Sequence, residues 1–270
     1  MVQVADDWTL FQGHRTHFSA ALSACAPARP ARLCILGAGK CNDVDLELLS
    51  ERYSEIHLVD IDPPSVASAV ARQTPAVRAH VRPHVPVDLA GLTNKRLAKW
   101  QRKPPTGAEL EQWENSVVSA TLARLPGPFD VVASACILTQ ISFAARQGLG
   151  ERHPMLGAIR LALIAAHLRT LVGLTQAGGT SLFACDVASS TSYPALDSLA
   201  PDADLEAVLR AVVQGGSSYF AANPKLIIDT LRHRPELADH TGEPEQLLPW
   251  LWTGPHARTY LVYALRFTKL

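Results

Sequence analysis

The sequence predicts an α/β protein: a mostly parallel β-sheet with helices on both faces. Two observations carry the prediction. Short apolar runs of strand length alternate with segments of helical period, and most of the runs stop at a glycine or an acid. A continuous apolar run, Thr259 to Phe267, then asks for the middle of a sheet.

The elements follow in order. Trp8, Phe11, Phe18 and Leu22 recur at helical spacing and Pro27 and Pro30 end the pattern, predicting an N-terminal helical cap over residues 1–26. Arg32 to Leu36 is a short strand that opens onto Gly37-Ala38-Gly39. Val44, Leu46, Leu48, Leu49 and Tyr53 mark a helix. Ile56 to Asp60 is a second strand, and Pro63 with Pro64 suits the first turn of the next helix. Val85 to Leu89 predicts a third strand containing the acid Asp88. Residues 93–127 break the rhythm with Lys95, Arg96, Lys99, Arg102 and Lys103, then Pro104-Pro105 and a helix-like stretch from Leu110 to Leu125. Phe129 to Ser134 resumes the sheet. A long helix from about Leu156 to Gln176 stops at Gly178-Gly179, and Thr180 to Asp186 is the fifth strand. Residues 188–245 hold short helices and turns. One domain over 1–270 is expected, with 93–127 and 188–245 as insertions that form a lid together with the N-terminal cap.

Composition narrows the functional classes. The 25 basic and 25 acidic residues cancel, so no global charge draws the protein to nucleic acid or an anionic membrane. The basic run Lys95 to Lys103 reads as a solvated helix face. No apolar run reaches the roughly 18 residues that span a bilayer. Asp6, Asp7 and Trp8 stand where a secretory signal would be basic and then apolar, so the cytoplasm is the expected location. Five scattered cysteines lack metal-ligand or disulfide spacing and read as buried thiols, so no metal is expected. His14 and His17 lie three apart with no third ligand in view and read as exposed helix residues.

The chemistry-bearing segments all fall at strand ends. Gly37 and Gly39 let the backbone turn sharply and leave room for a ligand, and the following helix aims N–H groups at it. The usual dinucleotide pattern would place its third glycine at Asn42. Asp60 lies about twenty residues on, where a carboxylate accepts ribose hydroxyls. In open α/β sheets the ligand crevice lies outside the carboxyl ends of the strands, and these segments meet there.

Leu36-Gly-Ala-Gly-Lys-Cys-Asn-Asp-Val-Asp-Leu46, His57-Leu-Val-Asp-Ile-Asp62 and Phe129-Asp-Val-Val-Ala-Ser134 resemble the first, second and fourth motifs of class I S-adenosylmethionine-dependent methyltransferases. Tyr260 to Tyr263 resembles the antiparallel last strand of that fold. The resemblance covers residues 31–190 and the last dozen. It implies a Rossmann-like, mostly parallel seven-stranded sheet with the last strand antiparallel, and S-adenosyl-L-methionine as cofactor. By the same resemblance Gly37, Ala38 and Gly39 would face the methionine part, Asn42 or Asp43 its amino group, and Asp60 the ribose. Ile61 would pack on the adenine, Asp88 would meet the adenine amino group with Leu89 beside it, and Ser134 and Ala135 would lie near the methyl group. The sequence departs from the pattern at Ile35, where an acid is common, and at Cys41, where glycine is common.

The expected activity is methyl transfer to a small-molecule acceptor. A sulfonium methyl is already activated, so alignment and exclusion of water can suffice without a catalytic triad. His153, Tyr193 and His256 are candidates to take an acceptor proton, and they equally suit structural parts in loops and helices. Ser134-Ala-Cys-Ile137 stands where enzymes methylating DNA bases or glutamine carry a DPPY-type tetrapeptide. Two alternatives stay open: an NAD(P)-dependent oxidoreductase using the same glycine turn, and a non-catalytic cofactor-binding protein of the same fold.

Overall fold

Alternate side chains of a strand enter opposite faces of a sheet, and here both faces of the central strands are apolar. Along β1 (Arg32–Leu36), Leu33 and Ile35 enter one core and Cys34 and Leu36 the other, all fully buried. The computed structural model describes residues 7–254 and 258–270. In it, α1 (Asp7–Leu10) and α2 (Gln12–Cys25) precede β1. Then come α3 (Leu46–Ser50), β2 (Glu55–Val59), α4 (Pro63–Ala71), α5 (Pro75–His80) and β3 (Val81–His84). The second half holds α6 (Asn94–Arg102), α7 (Gly107–Arg124), β4 (Phe129–Ala135), α8 (Ile137–Leu149), α9 (Leu156–Leu174) and β5 (Thr175–Ser189). After them lie α10 (Leu205–Gln214), α11 (Pro224–His233), α12 (Pro235–Ala238), β6 (Glu245–Gln246), β7 (Trp250–Thr253) and β8 (Thr259–Thr268).

The sheet runs β3-β2-β1-β4-β5-β8-β6, with β7 also paired to β8. The first five strands are mutually parallel, and β8 is antiparallel to β5. Seven strands were expected and the described residues hold eight, because the edge beside β8 is split. β6 and β7 pair with successive stretches of β8, and Pro249 between them has no N–H to continue the ladder. Helices α2 to α5 supply Phe18, Leu22, Leu49, Val66 and Val77 to the core on one face. Helices α6 to α11 supply Trp100, Trp113, Leu138, Leu168, Leu209 and Leu231 to the core on the other.

Four segments differ from expectation. β3 is Val81–His84, an edge strand that tolerates Pro83, and Val85 to Leu89 is a loop in which the Val87 N–H donates to the Asp60 carbonyl at 2.8 Å. The helix after β1 starts only at Leu46, where Asp45 caps it by accepting from the Glu47 and Leu48 N–H groups. The long helix ends at Leu174, because Thr175 already pairs with Phe129, and Gly178-Gly179 falls inside β5. By length and composition α9 is apolar enough to cross a bilayer, contrary to the sequence reading, but two-thirds of that stretch is buried in the protein.

Residues 93–127 supply α6 and the capping-box helix α7, which lies along α9 and carries the chain from β3 across to β4. A buried Glu114 on α7 pairs with Arg169 at 2.9 Å and with Arg234, tying α7 to α9 and to the end of α11. A 980 Å³ cavity lies between α6 and α7, with the basic run on its rim and Trp100 edge-on to Trp113 below.

Candidate functional site

The glycine turn is held by the strand next to it. Gly37 and Ala38 donate their N–H groups to the Val59 carbonyl at 2.9 and 3.1 Å, so the turn folds over the tip of β2. Gly37 (φ +79°) and Gly39 (φ +49°) both take the left-handed conformation that glycine tolerates. A Cβ on Gly37 would stand 2.6 Å from the Ile137 Cβ, whereas one on Gly39 would meet nothing within 4 Å. The turn therefore packs on α8 on one side and opens to a cleft on the other. Cys41, at the place where the pattern favours glycine, has the glycine-like φ of +50°. That conformation strains a residue with a Cβ by about 1–2 kcal/mol.

Asp60 closes β2 at this turn. Its Oδ2 accepts the Gly39 N–H at 2.8 Å and its Oδ1 accepts the Asp62 N–H at 2.9 Å. Each oxygen keeps a second lone pair for a ligand hydroxyl. Ile61 follows with 59% of its surface exposed, an apolar side chain without apolar cover.

Three compartments run side by side along this edge. The first, 270 Å³, has Asp60, Ile61, Asp88 and Leu89 in its walls. The second, 450 Å³, has Gly37, Ala38, Gly39, Asn42, Asp43 and Ala135. Gly37 and Gln140 line both. The third, 620 Å³, shares Thr139, Gln140, Asp186 and Tyr260 with the second. The three form a row of adjoining compartments from Asp60 past the glycine turn to Asp186.

Nine of the ten expected cofactor residues line it. Ser134 does not: it has no exposed surface, and its Oγ shares a 2.7 Å hydrogen bond with His167 Nε2 under α9. Strand alternation explains this, since Ala135 takes the cleft side and Ser134 the helix side. Asp88 is in the cleft wall, but in a loop, where its Oδ1 accepts the Ala90 and Gly91 N–H groups. The candidate proton acceptors do not gather here. His153 packs at the start of α9, its Nε2 3.0 Å from the Trp100 carbonyl and its Nδ1 accepting the Met155 N–H. Tyr193 packs against the larger core. His256 falls outside the described residues.

Two cleft carboxyls have shifted protonation: Asp43, named by the resemblance, and Asp186, which the sequence reading missed. Burial pushes the Asp43 carboxyl up to about 7, with the Asp60 charge adding to the shift and Arg15 opposing it. Burial likewise pushes Asp186 up to about 6, against the pull of a hydrogen bond from Thr139 Oγ1 at 2.7 Å. Burial raises the Cys136 thiol well above its ordinary value, which keeps it protonated. His14 is not exposed as expected: it is buried, and its Nδ1 accepts the Trp250 Nε1–H at 3.0 Å. That bond joins α2 to the split sheet edge. Asp186 did carry a signal, because it ends its apolar run with an acid just as Asp60 does.

This donor set fits a sulfonium nucleoside. Asp60 has acceptor capacity for ribose hydroxyls, Ile61 and Leu89 offer apolar surface to a base, and Asp43 offers a carboxyl to an ammonium group, whereas the Asn42 Oδ1 already accepts from Arg72 at 3.1 Å. Gly39 leaves the middle of the cleft open.

Topology and cleft together define the class I S-adenosylmethionine-dependent methyltransferase fold, and this chain has it. The methyltransferase domain of bacterial CtHen1-C superposes with a TM-score of 0.50 over 96% of this chain and 98% of that one, at 12% identity. A SAM-dependent methyltransferase from Methanosarcina mazei gives 0.48 over 92% and 97%, at 10% identity. The SAM-bound amino pentose methyltransferase CalS10 from Micromonospora echinaspora gives 0.35 at 17% identity. That match covers 64% of this chain and spans half the length of CalS10. No protein-family model matches the sequence, and no curated protein matches it.

Proposed function

We propose that this protein binds S-adenosylmethionine and transfers its methyl group to a small-molecule acceptor. The observation that carries the reading is the row of adjoining compartments along the strand tips, in which the Asp60 carboxylate, the glycine turn and a further compartment follow one another. When bound, the cofactor supplies a methyl group already activated on a sulfonium sulfur. Asp60 would hold the sugar, with Ile61 and Leu89 offering apolar surface to the base, and Asp43 with the Asn42 backbone region would hold the amino-acid end. Thr139 orients the Asp186 carboxyl, which would take a proton from the acceptor during transfer.

Isothermal titration with S-adenosylmethionine and S-adenosylhomocysteine tests the reading. Binding of both is expected, and absence of heat with either would overturn it.

A further inference from the structure

The third compartment carries a charge pattern of its own. Arg160 from α9, Arg146 from α8 and Arg258 before β8 line it, and Asp186 is its one carboxylate among the described residues. Arg146 already pairs with Glu151 at 2.6 Å. Arg160 has no carboxylate partner among the described residues. Its Nε donates to Ser142 Oγ at 2.7 Å, and its guanidinium lies 4.2 Å over the Phe220 ring. These two contacts fix the plane of the fork while leaving both Nη groups without an acceptor among the described residues. Burial, with the nearby Arg146 charge, pulls the Arg160 guanidinium below its ordinary value. A partly buried cation without a counter-ion is costly, and a bound anion offsets that cost.

We propose that the acceptor carries a carboxylate or phosphate group, which Arg160 binds through its free fork with Arg258 at the mouth, leaving the nucleophilic end of the acceptor at Asp186. The proposal rests on the methyltransferase reading for the word acceptor, but the anion site stands on Arg160 itself. Tyr219 and Phe220 on the same wall give the body of such an acid apolar contact. A neutral acceptor would leave the Nη groups unpaired, so Arg160 selects against it.

The test is isothermal titration with inorganic phosphate, benzoate and neutral benzamide, each with and without saturating S-adenosylhomocysteine. The wild-type protein is expected to bind phosphate or benzoate and to bind benzamide more weakly; which anion binds distinguishes the two chemistries. Arg160→Gln should weaken anion binding by about 10- to 100-fold, the range for hydrogen bonds to a charged group. Arg160→Lys should retain part of the phosphate affinity, and both variants should bind S-adenosylhomocysteine as the wild type does. Anion affinity unchanged in Arg160→Gln, binding of neither anion by the wild type, or benzamide binding as well as benzoate, overturns the proposal. Anion binding without any S-adenosylhomocysteine binding upholds the anion site and removes the methyltransferase reading instead.

Discussion

Thr139 Oγ1 donates to Asp186 Oδ1 at 2.7 Å, and this bond spans the wall shared by the second and third compartments. It sets the orientation of a carboxyl that burial has raised from 3.8 to about 6. The folded protein therefore holds this proton more tightly than the unfolded chain does. Ionisation costs stability: the contribution is intact below about pH 4 and is lost as pH rises through about 6. Asp186→Asn removes the cost. Thermal melts should show the variant gaining on the wild type at ~pH 8 and matching it near pH 4. Methyl transfer by the same variant should fall by roughly 100-fold or more, the usual contribution of a positioned base.

Asp60 holds the glycine turn and, in the proposed function, the ribose. Asp60→Ala should weaken S-adenosylhomocysteine binding by about 1–3 kcal/mol. Unchanged affinity in a calorimetric titration would count against the ribose assignment.

The two turn glycines should fail differently. Gly37→Ala drives a methyl group into Ile137 and should destabilise the fold. Gly39→Ala meets only the open cleft, so the chain should fold with a backbone penalty of about 1–2 kcal/mol and lose cofactor affinity. Denaturation midpoints paired with calorimetry separate the two.

His167 is buried and neutral, its value pulled from 6.5 to about 4 by burial. The unfolded chain binds this proton first, so stability present above 6.5 is lost as pH falls toward 4. His167→Gln keeps a hydrogen-bonding group near Ser134 but has no proton to take up. Denaturant titrations should show a shallower loss of stability between pH 6.5 and 4 for the variant.

The glycine turn, Asp60 and the strand rhythm were legible because each is local: a glycine pair, an acid at the end of an apolar run, a period of two. Ser134 and Ala135 are adjacent in sequence, and only the phase of β4 in the sheet says which one faces the cleft. The third strand lies at Val81–His84 rather than Val85 to Leu89, because both stretches carry a proline and apolar residues and only pairing with β2 separates them. His14 was read as exposed because its partner Trp250 is 236 positions away. Asp186 and Thr139 lie 47 apart, and the β4–β5 pairing is what brings them to one strand edge.

β8 lies between β5 and the split edge strand, yet it is the last of the strands along the chain. Until residues 259–268 are in place, the inner side of β5 presents unpaired amides and carbonyls over most of its length. A nascent chain or proteolytic product ending earlier therefore exposes a long, apolar, sticky margin where the mature molecule has its interior. Such fragments should be drawn into association with one another or captured by chaperones, and should not persist as smaller working versions of the protein.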